Sequence, residues 1–374
     1  MSKKHFEFID KLLAILLDLL AKSSVNLSYK KKQKFSSLLT KLIMPFKFSR
    51  KDYVKDILME TLGIKEKKAE KIRRSCYENF VINSMEMAKL KYINDEDVLN
   101  LLEVEGYEHL EDAHRRGNGV IIMSGHFGLW EYIPQWAALK GYKVTTVVRR
   151  QNNKYADQWF EGMRRAHGGK TTDSGMGLRE ILRALKNGYL LGLMMDQDNG
   201  KKGIFVKFLN KWCSAPVGPA LISLKMKAPI VPMFIIPNYE GKHYFKIYPA
   251  IYPENYENTI EGQQKLTSDY TELYEKIVRK YPEQWFWLHR RWKTQPKDCP
   301  ENPWAKKIVE RRLKNEEGRG KRESGRAESG ELRTENCEHR MCEVQASARM
   351  AIESQELRIK SGKAKELRAK QSLE

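Results

Sequence analysis

The sequence has few cysteines and no metal-binding pattern among them. There are five in the 374 residues: Cys76, Cys213, Cys299, Cys337 and Cys342. An odd, scattered set without a CxxC pair excludes a disulfide framework and is typical of reduced thiols in a cytosolic setting. The sequence also lacks an HExxH motif, a GxSxG motif, a dinucleotide fingerprint and a Gly-rich loop that ends in GK[ST]. We therefore expect no metal, no cofactor and no serine nucleophile of the hydrolase type.

No apolar run is long enough for a clear membrane span, which needs about 20 mostly apolar residues. Residues 6–21 come nearest, and the charges that interrupt them are Glu7, Asp10, Lys11 and Asp18. At about 100° per residue, these charges share one narrow stripe of an otherwise apolar helix. Such a helix either lies in a membrane interface or packs on the domain. The 11 basic and 3 acidic side chains of residues 1–50 favour a membrane with anionic lipid.

Charge and composition divide the chain into three regions. Hydrophobic residues make up 41%, which is sufficient for a folded core, and 68 basic against 48 acidic side chains give a net charge of +20. That surplus indicates an anionic partner. We predict a membrane-associating helical segment over 1–50, a main domain over 51–310 and a charged, disordered tail over 315–374.

Apolar runs alternate with helical patterns through the main domain. The predicted strands are GVIIMS, KVTTVVR, YLLGLMMD, GIFVKFL, PIVPMFIIP and HYFKIYPAI. Helices are predicted near 129–139, 153–167, 177–187, 217–226 and 262–280. Continuous apolar runs are typical of strands that are buried on both faces. The alternation predicts an α/β fold with a mixed, mostly parallel central sheet flanked by helices.

The segment SGHFGLWEY carries the most distinctive pair of polar residues, His126 and Glu131. It follows an apolar run and has Gly125 and Gly128 on either side of the histidine, which predicts a strand, a tight turn and a helix. Residues five apart on one helix lie about 140° apart and cannot pair. With His126 on the turn the two side chains can converge, and a carboxylate would then fix the imidazole tautomer for base catalysis. The alternative is a buried histidine with a purely structural role.

Five blocks of the chain resemble the late lipid A biosynthesis acyltransferases, which belong to the wider group of H-x4-D/E glycerolipid acyltransferases. The blocks are HFGLWE, VVRRQNNKYADQWFEGMRRAHGG, LKNGYLLGLMMDQDNGKKGIFVKF, PVGPALIS and PEQWFWLHRRWK. They cover roughly residues 70–295. The chain departs from the family pattern at Leu209 and Asn210, where Phe-Gly is usual, and at Arg150, where proline is usual.

The resemblance implies transfer of a fatty acyl chain, usually from acyl carrier protein, to a lipid hydroxyl at the cytoplasmic face of the inner membrane. His126 would deprotonate the hydroxyl and Glu131 would orient His126. Donors for the oxyanion would be backbone N–H groups at the start of the following helix, or an arginine. The expected substrate-binding residues are Arg149, Asn153, Arg164, Asp196 and Gln197. The tryptophans of WFWLHRRW are more typical of core anchors than of catalytic groups.

Other functions are compatible with parts of the sequence. A nucleic-acid-binding protein would explain the charge, but no recognised nucleic-acid-binding module is found, and no nucleic acid is expected. A membrane-bound protein without turnover would not need both His126 and Glu131. Within the enzyme class the acceptor could instead be a lysophospholipid or a glycosylated phosphatidylinositol, and the donor acyl-CoA in place of acyl carrier protein.

Overall fold

A computed structural model describes residues 3–46, 50–173, 178–299, 301–306 and 308. The helices are α1 Lys3–Asn26, α2 Tyr29–Ile43, α3 Lys51–Leu62, α4 Glu66–Ala88, α5 Asp95–Asn100, α6 Tyr107–Arg115, α7 Tyr132–Leu139, α8 Lys154–Arg165, α9 Leu178–Lys186, α10 Gly218–Met226 and α11 Ile260–Lys280. The strands are β1 Leu102–Glu105, β2 Val120–Ser124, β3 Val144–Val148, β4 Lys170–Asp173, β5 Leu190–Met194, β6 Ile204–Phe208, β7 Lys211–Ala215, β8 Ile230–Ile236 and β9 His243–Ile247. The tail predicted over 315–374 lies outside the described residues.

The main sheet has seven strands in the order β1-β9-β8-β2-β5-β3-β4. Each neighbouring pair runs parallel except β8 and β9, which are antiparallel. The prediction of a mixed, mostly parallel sheet is therefore confirmed. One predicted strand, GIFVKFL, belongs elsewhere: β6 pairs with β7 in a separate antiparallel hairpin.

The sequence did not predict three of the strands. Two of them, β1 (LEVE) and β4 (KTTD), are the edges of the main sheet. An edge strand has one neighbour and remains partly exposed, so it needs no continuous apolar run. The third, β7 (KWCSA), is the second strand of the separate hairpin, and it contains the polar residues Lys211 and Ser214. All three lack the pattern that identified the buried strands.

Helices cover both faces of the sheet. Successive side chains of β2 point to opposite faces, with Ile121 and Met123 in one core cluster and Val120 and Ile122 in the other. The first cluster includes α10 and α11, and the second includes α7 and α8. Burial on both faces explains why β2 and β8 are continuously apolar, and it places the ends of these strands beneath a layer of helices on each side.

Helix α1 packs on the domain through its polar stripe. The Asp18 carboxylate accepts hydrogen bonds from Trp159 Nε1 at 2.8 Å, Lys91 Nζ at 3.0 Å and the Tyr92 hydroxyl. Further along, Asp10 Oδ1 accepts from Asn153 Nδ2 at 3.1 Å. The polar stripe of α1 is thus the side that binds the protein.

The opposite side of α1 is apolar and open. Six large side chains on it are between 44% and 55% exposed: Leu12, Leu13, Ile15, Leu16, Leu19 and Leu20. Helix α2 adds Leu38 and Leu42, each about 60% exposed. The two sequence-based alternatives, a membrane-interface helix and a helix packed on the domain, are therefore compatible. In the part of the chain that the structure describes, no helix is long and apolar enough to cross a membrane.

Candidate active site

His126 sits on a tight turn between β2 and α7, as the sequence predicted. Gly128 has φ +56°, and a Cβ atom there would lie 1.9 Å from the carbonyl oxygen of Ile235. A Cβ atom on Gly125 would lie 2.3 Å from the Tyr274 hydroxyl oxygen. The two glycines therefore let the backbone turn in a crowded place and present the imidazole at the carboxyl end of β2.

The imidazole of His126 is bound by a carboxylate from the neighbouring strand. Nδ1 of His126 lies 2.9 Å from Oδ1 of Asp196, and the backbone N–H of His126 donates to Oδ2 at 2.9 Å. Register explains the meeting, because Ser124 at the end of β2 pairs with Met194 at the end of β5. His126 and Asp196 each lie two residues beyond this pair, and so they come together. With Asp196 on Nδ1, the other ring nitrogen, Nε2, is the one left to act as a base.

Asp196 is buried and held by other donors. It is 4% exposed, and Trp285 Nε1 donates to its Oδ2 at 2.9 Å. Burial alone would raise the pKa of this carboxyl, but the positive charge of protonated His126 and these hydrogen bonds together hold it well below its ordinary value. Asp196 was predicted to bind substrate. Its oxygens are occupied by the imidazole, a backbone N–H and the indole of Trp285, so the structure places it behind His126 and binding of substrate stays a prediction.

The pKa of His126 is shifted in the opposite direction. Burial tends to lower it, whereas the charge of Asp196 and the hydrogen bond to it, with a smaller contribution from the charge of Glu131, raise it above its ordinary value. The imidazolium that forms when His126 takes a proton is therefore stabilised where it stands. Such stabilisation is what a general base needs during proton transfer.

Glu131 binds an arginine instead of the imidazole. Its carboxylate accepts from Arg164 Nε at 3.1 Å and from Arg164 Nη2 at 2.7 Å, in a forked arrangement. This corrects the predicted pairing of Glu131 with His126. The reason is geometric: Glu131 directly precedes α7, which packs beside α8, and Arg164 in the last turn of α8 offers a planar fork that matches a carboxylate. Glu131 acts on His126 through its charge, not through a hydrogen bond.

A cavity of about 330 Å³ opens beside His126. It runs down the face of the sheet that α7 covers, where Ile122, Thr146 and Gly192 lie level with one another on three adjacent strands. A Cβ atom on Gly192 would come within 3.0 Å of Thr146 Oγ1, so the missing side chain helps to keep this space open. Its lining is mainly apolar and includes polar side chains such as His126 and Arg149, which suits a hydrocarbon chain with a reactive polar end.

Most of the remaining predicted residues line the mouth of this cavity. Arg149, Arg164 and Gln197 are all part of its wall. Arg149 is exposed and, among the described residues, has no carboxylate partner, whereas Arg150 binds Asp157. Arg149 therefore remains available to an anion, and its role in substrate binding stays a prediction.

Asn153 has a structural role instead. Its side-chain oxygen accepts from the N–H groups of Tyr155 and Ala156 at 3.0 Å and so caps the start of α8. Its side-chain nitrogen donates to Asp10 of α1. Asn153 is not among the residues that line the cavity; it joins α1 to α8, and the prediction that it binds substrate stays untested.

Backbone N–H groups near the start of α7 are largely engaged. Those of Gly128 and Leu129 donate to Gln284 and Ile235 at 3.1 Å and 3.3 Å. They cannot also donate to a reaction intermediate without losing these bonds. Both sources of oxyanion donors considered from the sequence, other backbone N–H groups near the start of α7 and an arginine, stay predictions, and Arg149 lines the cavity.

The Trp-rich segment at residues 285–292 has more contacts with the candidate site than the sequence predicted. The tryptophans are core anchors as expected, but Trp285 also donates to Asp196, and the N–H of Phe286 donates to the carbonyl of His126 at 3.0 Å. Arg291 is 2% exposed and donates to the carbonyl of Gln197 at 2.9 Å. The W-x-W-x-H-x-R-W pattern was the signal for this role, and it could not by itself say which groups the segment would contact.

The chain matches a protein family described as "Bacterial lipid A biosynthesis acyltransferase" over residues 2–294. It is similar to the lipid A biosynthesis lauroyltransferase of Escherichia coli (strain K12), with 24% identity over 226 residues, 60% of this chain and 72% of that relative. The palmitoleoyltransferase of the same organism is 27% identical over 237 residues, 61% of this chain and 74% of that relative. The phosphatidylinositol mannoside acyltransferase of Mycobacterium tuberculosis (strain ATCC 25618 / H37Rv) is 25% identical over 214 residues, 55% of this chain and 66% of that relative.

Proposed function

Because the chain belongs to the bacterial lipid A biosynthesis acyltransferase family and is an O-acyltransferase of that type, we propose that it acylates a hydroxyl of a lipid A precursor with His126 as the general base. The observation that carries this assignment is the His126–Asp196 pair at the mouth of a mainly apolar cavity. The pair supplies a base of fixed tautomer. The cavity supplies room for the hydrocarbon part of an acyl chain.

The proposed reaction needs no covalent acyl-enzyme. Nε2 of His126 takes the proton of the acceptor hydroxyl while the hydroxyl oxygen attacks the thioester carbonyl carbon. Asp196 keeps Nδ1 protonated and balances the charge of the imidazolium. When the tetrahedral intermediate collapses, the carbon–sulfur bond breaks and the imidazolium gives its proton to the departing thiolate. The products are an ester and a free thiol, and His126 is again neutral.

Arg149 is proposed to bind negative charge at the cavity, either the oxyanion that develops in the reaction or a phosphate of the acceptor. A guanidinium offers a planar pair of donors, which suits an oxyanion or a phosphate of the acceptor. Gln197 is the neighbouring amide; its Nε2 lies 3.5 Å from the imidazole, which is close packing and not a strong hydrogen bond. The Glu131–Arg164 ion pair forms the wall opposite and keeps its own charges balanced.

The proposed site of action is the cytoplasmic face of the inner membrane. The family is membrane-associated. The exposed leucines of α1 and α2 would enter the interface, and exposed lysines on α2 would meet anionic headgroups: Lys30, Lys31, Lys34 and Lys41. A helix that is held to the domain by its polar stripe presents its apolar side without any rearrangement.

We propose acyl carrier protein as the donor, with acyl-CoA as the alternative. The +16 surplus of residues 1–300 would complement an acidic carrier. For the acceptor, similarity to a phosphatidylinositol mannoside acyltransferase favours a glycosylated phosphatidylinositol as the second candidate.

A direct assay tests the assignment. Purified protein in detergent is incubated with an acyl carrier protein thioester and, in separate reactions, a lipid A precursor, a lysophospholipid and a glycosylated phosphatidylinositol, and products are identified by mass spectrometry. We expect a mass increase of one acyl group on the lipid A precursor. Acylation of only one of the other two lipids would replace the proposed acceptor, and no acylation of any lipid would refute the proposed function.

A further inference from the structure

A second, strongly apolar space lies between the N-terminal helices and α4. It is a groove of about 410 Å³ whose walls come from α1, α2 and α4, with Leu288 at one end. Leu17, Leu39 and Val81 represent the three helices in its wall. No residue that lines it also lines the cavity beside His126. The protein therefore has two separate places where a hydrocarbon chain can be buried.

The groove and the candidate active site are neighbours. The ring of Phe80, which lines the groove, lies 4.9 Å from the ring of Phe286, and the ring of Phe286 lies 6.3 Å from that of His126. Leu288, two residues after Phe286, lines the groove. The segment 286–288 thus lies near both the imidazole of His126 and the groove.

The groove also borders the exposed apolar surface. Phe35 and Phe80 line it and are 37% and 40% exposed, and Leu20, with 47% exposure, belongs both to its wall and to the open side of α1. The exposed lysines of α2 named above are on the same helix as Phe35. A ligand with an acyl chain and an anionic headgroup would match this combination of apolar space and positive charge.

We propose that this groove binds an acyl chain of the acceptor lipid while the acceptor's reactive hydroxyl lies at His126; the proposal rests on the proposed function. Acyl transfer brings two lipid chains to one base, and two chains need two apolar spaces. The donor chain is delivered on a carrier and enters the cavity that opens directly beside His126. The acceptor is already in the membrane, and the groove is the space that is continuous with the exposed apolar face.

The test fills the groove and varies the acceptor chain. Leu39→Trp and Val81→Trp introduce bulk from two different helices. The matched control is Gln33→Trp, because Gln33 is exposed on the same helix as Leu39 and does not line the groove. Each variant is assayed with a lipid A precursor that has full-length chains and with a short-chain analogue of the same headgroup and reactive hydroxyl. Thermal unfolding and vesicle binding are measured alongside.

We expect both groove variants to raise KM for the full-length acceptor by about fivefold or more, with kcat and the short-chain KM near wild type. Gln33→Trp should leave both values unchanged. Equal effects on the two acceptors, or a changed preference for donor chain length instead, would overturn the proposal. If one of the two groove variants unfolds, the KM values of the other groove variant test the proposal. A wild-type protein that acylates no lipid would refute the proposed function and is distinguishable from these outcomes.

Discussion

The Nδ1 atom of His126 lies 2.9 Å from Oδ1 of Asp196, although 70 positions separate the two residues in the chain. They meet because β2 and β5 are parallel neighbours that end at the same level. The carboxyl ends of parallel strands are where α/β proteins commonly place their sites. In this protein that edge holds His126, the proposed base, and the carboxylate of Asp196 bound to its imidazole.

Loss of the base should remove activity without loss of the fold. We expect His126→Ala to lower kcat by about 10²–10⁴-fold, since this is the typical contribution of a positioned general base. Activity is measured with a thioester donor and the lipid acceptor, and folding by circular dichroism. Turnover at the wild-type rate in a folded His126→Ala protein would show that another group takes the proton.

The pH profile should report the charge of Asp196. Only neutral imidazole accepts a proton, and Asp196 raises the pKa of His126, so activity should rise with pH through a value above the ordinary 6.5 of histidine. Asp196→Asn removes the negative charge and leaves burial, which lowers the pKa. The acidic limb of kcat/KM should therefore move to lower pH while the maximum rate falls. If the acidic limb of kcat/KM stays at the same pH in a folded Asp196→Asn protein, Asp196 does not set the pKa that the limb reports.

Glu131 and Arg164 should behave as one unit. Each is largely buried, so removal of either leaves the other charge without its partner, at a cost of about 3 kcal/mol in unfolding free energy. The double variant Glu131→Ala/Arg164→Ala should cost much less than the sum of the two single variants. Urea denaturation of all four proteins measures the coupling. Additive losses would mean that the ion pair has no role in holding the cavity wall.

Membrane binding should depend on the exposed side of α1. We expect Leu13→Ser/Leu16→Ser to reduce sedimentation with anionic vesicles, because both side chains are about half exposed and would enter the interface. Thermal stability should change little. Deletion of residues 1–35 should release much of the protein as well, but it also removes the contacts of Asp18 with the domain.

The matched control for this experiment is Asn26→Ser, a change at an exposed, uncharged residue of the same helix. Vesicle binding that is the same for the double leucine variant and for Asn26→Ser would contradict the assignment of this surface. High salt should release part of the wild-type protein, because the lysines of α2 contribute electrostatic attraction.

Salt should affect a carrier-bound donor more than a small one. Raised salt weakens the association of an acidic carrier with a basic surface, whereas a short, uncharged thioester undergoes the same chemistry without that step. Arg165 is the better position for charge reversal, since its side chain is 61% exposed, although the change also breaks its ion pair with Glu161 and folding must be checked by thermal unfolding. Arg164 is unsuitable because it is largely buried and holds Glu131. Arg165→Glu should weaken use of acyl carrier protein only, and Arg149→Ala should impair both donors. Equal salt sensitivity of the two donors would leave anionic lipid as the explanation of the basic charge.

The sequence alone determined the local elements. Continuous apolar runs identified the buried strands β2, β5 and β8, because a strand covered on both faces has no polar side. Glycines on either side of His126 identified the turn that carries it, since a side chain at either place would collide with the neighbouring structure. The sequence also placed Asp196 and Gln197 at the end of a strand, in the vicinity of the site. Strands and turns depend mainly on residues that are close together in the sequence, and so a sequence pattern can predict them.

Only the tertiary structure decided which side chains meet. Glu131 is five residues from His126, yet it binds Arg164, and the imidazole binds Asp196, because strand order and helix packing set those distances. The same holds for α1. Its periodicity revealed one polar and one apolar side, but contacts with Lys91 and Trp159 determined that the polar side faces the protein. Spacing in a sequence fixes the direction of a side chain relative to its own helix, whereas its partner depends on elements that arrive from elsewhere in the chain.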